Sequence, residues 1–90
     1  MGIPVLIDFY TMWCGPCRIQ TPIIEELEKQ FGEDVEFRKV DADIEGDLAA
    51  KYSIFVIPTI VIEKDGVELK RYLGVTSKDE LESVLIDAIK

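Results

Sequence analysis

Cys14 and Cys17 stand three positions apart in Trp13-Cys14-Gly15-Pro16-Cys17 and are the only two thiols of a 90-residue chain. A disulfide between them encloses two residues, too short a loop for the chain-entropy effect by which structural disulfides staple a fold. A structural zinc site takes about four protein ligands, and this chain has no histidine to add to its two thiols. The chemistry left to the pair is thiol–disulfide exchange, in which a thiolate attacks one sulfur of a disulfide and displaces the other.

The position of the pair supports that chemistry. A nearly continuous apolar run precedes it, and a periodic segment follows it. The dithiol therefore falls where a strand turns into a helix. The first turn of a helix has unpaired N–H groups and a partial positive charge, both of which favour a thiolate. Cys14 is expected at the cap, nearest those donors, as the nucleophile. Cys17 is expected inside the first turn, further from solvent, as the resolving thiol, and the i, i+3 spacing lets the two side chains meet. In the cycle this implies, the Cys14 thiolate bonds to one sulfur of a client disulfide and expels the other. Cys17 then attacks the Cys14 sulfur, which frees the reduced client and leaves Cys14–Cys17 oxidised. Tethering gives Cys17 a high effective concentration, so the mixed disulfide is short-lived.

The surrounding elements read as follows. Residues 4–10 form a strand buried on both faces. Residues 14–31 form a helix with Ile19, Ile23, Ile24 and Leu27 on its buried stripe and Glu25, Glu26 and Lys29 outside. Pro22 interrupts that helix and is expected to kink it, and Gly32 ends it. Residues 35–40 alternate as a second strand, and 44–52 read as a shorter helix weakened by Gly46. Residues 59–63 and 68–73 flank Lys64-Asp65-Gly66, a strong hairpin signal. Ser77 followed by Glu80 is a capping box that opens a final helix on Leu81, Val84, Leu85 and Ile89. The order β-α-β-α-β-β-α, with a right-handed crossover between the first two strands, predicts an α/β fold. Its four-stranded mixed sheet carries helices on both faces.

Composition bounds the function classes. Ninety residues allow one domain, 1–90, and 48% hydrophobic residues suffice for a single core. A net charge of −8 argues against nucleic acid and anionic membrane as partners. No apolar run approaches the roughly 20 residues of a membrane span. Neither a secretory signal nor a myristoylation site opens the sequence, so a cytoplasmic location is expected.

Trp13-Cys14-Gly15-Pro16-Cys17 resembles the active site of the thioredoxin family, and the resemblance extends over nearly all of residues 3–90. Asp8 matches that family's buried aspartate, Lys39 its usual lysine partner and Pro22 its helix proline. Ile57-Pro58-Thr59 matches its cis-proline loop and Gly74 the glycine that completes its substrate groove. The resemblance implies a minimal thioredoxin fold without the additional N-terminal strand and helix, close to a glutaredoxin in length. Tyr10 stands where tryptophan is common in the family, and Met12 precedes Trp13. The family's Cys-x-x-Cys thiol lies near pKa 7, a value taken over from the family and not obtained from this chain. Lowering Cys14 from about 8.5 to about 7 would raise its thiolate fraction at neutral pH roughly fifteenfold. A Brønsted slope near 0.45 reduces its intrinsic nucleophilicity about fivefold, for a net gain of about threefold. Most of the acceleration must then come from positioning the client.

Supporting roles follow. Asp8, between apolar neighbours, is expected to be buried with a raised pKa, as general base for the Cys17 proton through a water. Lys39 is expected to tune Asp8. By resemblance, Pro58 turns the backbone of Ile57 toward an extended client segment, as an added strand would pair, and screens the thiolates from metal. Trp13, Gly15, Pro16, Ile57, Gly74 and Val75, with Tyr10, are expected to make a small apolar client surface. Glu25-Glu26 and Asp41–Asp47 read as solvated acidic faces. The resulting reading is a protein disulfide reductase, monomeric and cofactor-free, served by a thioredoxin-reductase-like enzyme that is flavin- or ferredoxin-linked. Two alternatives stand beside it: a glutaredoxin-like carrier recharged by glutathione, and a binding module whose cysteines hold a metal between two subunits.

Overall fold

The computed structural model describes residues 2–90. A four-stranded sheet has the order β2-β1-β3-β4. Its strands are β1 (Val5–Tyr10), β2 (Glu36–Asp41), β3 (Thr59–Lys64) and β4 (Val67–Leu73), and its helices are α1 (Cys17–Phe31), α2 (Gly46–Lys51) and α3 (Lys78–Ile89). β1 pairs in parallel with β2, and β3 runs antiparallel to both β1 and β4. The mixed α/β architecture is the one the element order implies, and β1 sits at its centre because it is apolar on both faces.

Alternation along β1 sorts two cores. Leu6 packs with Ile60, Ile62, Ile24 and Leu27 of α1, and Leu81 and Leu85 of α3. Ile7 and Phe9 face the other way, with Val40, Val61 and the half-buried Leu48 of α2. These eleven buried side chains, each worth about 1.5–3 kcal/mol when removed from water, are what hold three helices to one small sheet. The β3–β4 turn is Asp65–Gly66, with φ of 53° and 80°. Positive φ at both central residues is what a two-residue hairpin needs to match strand twist, and it explains the Asp-Gly pair. At α3 the Ser77 hydroxyl accepts from the Glu80 N–H at 3.2 Å, one half of the capping box.

Four local expectations need correction. Helix α1 starts at Cys17, not at residue 14, with Pro16 in the cap position and no side-chain cap bond. Gly15 and Pro16 are poor helix-interior residues, so the first i to i−4 bond is Gln20 N–H to Pro16 O. The buried stripe of α1 is Cys17, Gln20, Ile24, Leu27 and Phe31, and Ile19 is 62% exposed. A single stripe at alternating spacings of three and four cannot hold both 19 and 20. Helix α2 begins at Gly46, because the preceding residues are wound into a turn by Asp41, whose Oδ1 accepts the N–H groups of Asp43 and Ile44. In α3, Ala88 is buried and Ile89 is exposed, one position beyond the inward stripe.

Candidate active site

β1 delivers the chain to the carboxyl end of the sheet, where residues 11–16 turn it into α1. Cys14 and Cys17 are joined there as a disulfide, with Cα atoms 5.4 Å apart. The turn is closed by the Cys14 N–H donating to the Thr11 carbonyl at 3.4 Å. Cys14 Sγ accepts the N–H of Cys17 at 3.2 Å. The sulfur thus occupies the place a capping oxygen would take, although Cys14 is two residues before the formal cap. That bond satisfies one of the orphan donors of the helix start and would strengthen toward a thiolate. The expected difference in depth is absent: both cysteines are 5% exposed in this disulfide form. The bond draws the two sulfurs into one shared environment.

Asp8 is 2% exposed, on the same side of β1 as Leu6 and therefore toward α1. Burial pushes its carboxyl up to about 6, against the opposing pull of the Lys39 charge. Lys39 is its cross-strand partner on β2 and lies 3.6 Å from Glu25 of α1. The Oδ1 atom of Asp8 has no hydrogen-bond partner, so no donor at that oxygen offsets the cost of burying it as a carboxylate.

The antiparallel register pairs Phe9 with Thr59, which leaves Pro58 beside the carboxyl end of β1. The Ile57–Pro58 peptide is cis. The Pro58 carbonyl accepts the Gly74 N–H at 2.8 Å, tying the loop before β3 to the loop after β4. Gly74 has φ of 86°, so a side chain there would be strained. Ile57 is half-buried, whereas Gly15, Pro16 and Val75 are exposed. Trp13 is 73% exposed, and its indole Nε1–H donates to Asp43 Oδ2 at 2.7 Å. The acidic run 41–47 is therefore not only a solvated face. Asp41 is buried and shapes a turn, and Asp43 fixes the tryptophan.

Three contributors were missed by sequence reasoning. A cavity of about 300 Å³ beside the disulfide is lined by Thr11, Met12, Arg18 and Thr21 together with Tyr10. Met12, on that cavity, exposes 76% of its area, more than Trp13. Gln20 is fully buried, and the 17, 20, 24, 27, 31 spacing was the signal that would have placed it inward. Among the described residues no group of three or more His, Cys, Asp or Glu side chains is arranged to hold a metal ion.

Comparison with known proteins agrees with this geometry. The thioredoxin family model matches residues 2–87. The chain is 40% identical over 84 residues to thioredoxin 1 of Synechococcus elongatus, covering 93% of this chain and 78% of the relative. It is 37% identical over 81 residues to a Listeria monocytogenes thioredoxin, covering 90% and 79%. Among solved structures, Fasciola hepatica thioredoxin superposes with a TM-score of 0.88 at 41% identity, over 97% of this chain and 82% of that one.

Proposed function

The chain belongs to the thioredoxin family and is a protein thiol–disulfide oxidoreductase whose redox group is its own cysteine pair; on that premise we propose how its residues divide the work. Cys14 is the nucleophile and Cys17 the resolving thiol. The observation that carries this is the Cys17 N–H held on Cys14 Sγ at 3.2 Å, a donor that stabilises charge on one sulfur of the two. Opening of the mixed disulfide needs Cys17 to lose its proton, and Asp8, with a carboxyl near 6, is matched to accept it through a water at neutral pH. Lys39 limits how far burial raises Asp8, so that the carboxylate is available at pH 7.

Trp13, Gly15, Pro16, Ile57, Pro58, Gly74 and Val75 receive the client. The Ile57 backbone offers its polar groups to an extended segment, and the exposed apolar side chains supply contact without reading sequence closely. Clients are disulfide-bonded proteins, and the electrons come from a thioredoxin-reductase-like enzyme, as is general in the family. A flavin- or ferredoxin-linked reductase, a monomeric state, a cytoplasmic location and a single thioredoxin-like domain over 1–90 complete the reading. Residue 1 of that domain lies outside the described residues. No helix among the described residues is long and apolar enough to cross a membrane.

The test is a trap. Cys17→Ser is expected to accumulate mixed disulfides with client proteins through Cys14, while Cys14→Ser accumulates none. Equal trapping by both variants, read by non-reducing electrophoresis, reverses or removes the assignment. Recharging by glutathione alone at the rate given by a flavoprotein reductase would replace the thioredoxin-type electron supply with a glutaredoxin-type one.

A further inference from the structure

Gln20 is 0% exposed in the second turn of α1, three residues beyond Cys17. A primary amide placed there without partners would cost several kcal/mol of lost hydration, where a leucine would cost nothing. Both polar atoms of the amide are engaged, and with one residue. Its Oε1 accepts the Thr76 N–H at 2.7 Å, and its Nε2–H donates to the Thr76 carbonyl at 3.1 Å. Thr76 is itself buried and lies between β4 and α3, where its backbone has no ladder partner. The side chain therefore makes the two-bond exchange that a neighbouring strand would make.

The bonds continue in both directions. The Gln20 N–H donates to the Pro16 carbonyl at 3.2 Å, within the turn that carries the cysteines. The Thr76 hydroxyl donates to the Gly74 carbonyl at 3.2 Å, and the Gly74 N–H donates to the Pro58 carbonyl at 2.8 Å. One chain of hydrogen bonds thus runs from Pro16 through Gln20, Thr76 and Gly74 to Pro58. It joins the three separate segments to which client binding is assigned above.

We propose that Gln20 is a positioning residue that fixes the Gly74–Thr76 wall of the client groove against the dithiol helix, and so sets affinity for protein disulfides without touching the thiol chemistry. This rests on the reductase reading and on the groove assigned there. The physical basis is preorganisation. A wall held in its bound arrangement loses no conformational freedom when an extended client docks, whereas an untied loop must be ordered each time. A small aromatic disulfide, which has no segment to lay along Val75, does not need the wall.

The experiment compares two substrates. Insulin serves as the protein disulfide and a small aromatic disulfide as the control, with wild type, Gln20→Leu, Gln20→Met and Thr76→Val. Gln20→Leu and Gln20→Met are expected to raise KM for insulin roughly fivefold to tenfold with kcat nearly unchanged, and to leave the rate with the small disulfide within about twofold. Thr76→Val, which breaks only the link to Gly74, is expected to raise KM about twofold. Faster hydrogen exchange at the Thr76 N–H in the Gln20 variants is the readout independent of turnover. Gln20→Met, unbranched and close in volume, covers the case in which leucine does not fit. A fall in stability with KM for insulin unchanged, or equal losses on both substrates, overturns the proposal and leaves Gln20 a structural residue. Failure of the wild type to reduce either disulfide overturns the reductase reading first, and the proposal with it.

Discussion

The two faces of the sheet are built differently. Toward α2 the hydrophobic cluster is Ile7, Phe9, Val40 and Val61, and the buried polar residue beside it, Thr59, is satisfied by donating its hydroxyl to the Val56 carbonyl. Toward α1 and α3 the hydrophobic cluster is larger, yet Asp8 and Gln20 are buried on that side at 2% and 0% exposure. Both polar groups lie on the face from which α1 presents Cys17. A buried amide or carboxyl lowers stability unless it is satisfied, and one Asp8 oxygen is not. The difference teaches that the α2 face serves to hold the fold together, whereas the other carries an unpaired carboxyl oxygen at a cost in stability, which is where the proposed proton transfer would be sited.

That contrast can be broken at three strengths. Phe9→Ala should have the largest effect, a loss of about 3–5 kcal/mol for a fully buried aromatic. Urea denaturation would measure it, and the reduction rate per folded molecule should stay at the wild-type value. A selective loss of rate would mean the α2 face also serves the chemistry.

Asp8→Asn should act in the opposite direction. Its carboxyl is raised from 3.8 to about 6, so the folded protein binds the proton more tightly than the unfolded chain does. Stability from that site is complete below about pH 4 and is lost as pH rises through about 6. At about 1.4 kcal/mol per tenfold change in ionisation constant, the loss reaches about 3 kcal/mol at neutral pH. The asparagine variant should therefore be more stable than wild type by up to that amount at pH 7.5, with the gain fading toward pH 4. It should also turn over bulky disulfides more slowly. Unchanged turnover with unchanged stability would remove Asp8 from the mechanism.

Tyr52→Phe should have the smallest effect. The phenol donates to Glu63 at 2.9 Å on the α2 side, where the ring packs 5.4 Å from that of Phe9. Losing a part-exposed bond should cost about 0.5–1.5 kcal/mol by thermal melting, with no effect on turnover. A turnover defect like that of Asp8→Asn would erase the distinction between the faces.

Much of this was legible before any coordinates. The apolar run of β1 and the Asp65–Gly66 turn report themselves, because strand burial and positive φ restrict residue type locally. Ser77 marks the start of α3 for the same reason, since an orphan N–H needs a nearby oxygen. The cysteine spacing ruled against a structural disulfide and favoured thiol–disulfide exchange. The bounds of α1 and α2 were less legible, because Pro16 and the Asp41 turn decide them through bonds that periodicity does not contain.

What the sequence determined by itself was therefore local: the element order, the Asp65–Gly66 turn, the Ser77 cap and the reactive pair. Tertiary structure alone decided that Asp43 holds Trp13 and that Thr76 completes a link from Pro16 to Pro58. These partners lie 30 and 56 positions apart in the chain. A residue's type fixes which bonds it can make, but only the packed fold fixes the neighbour with which a buried polar group must make them.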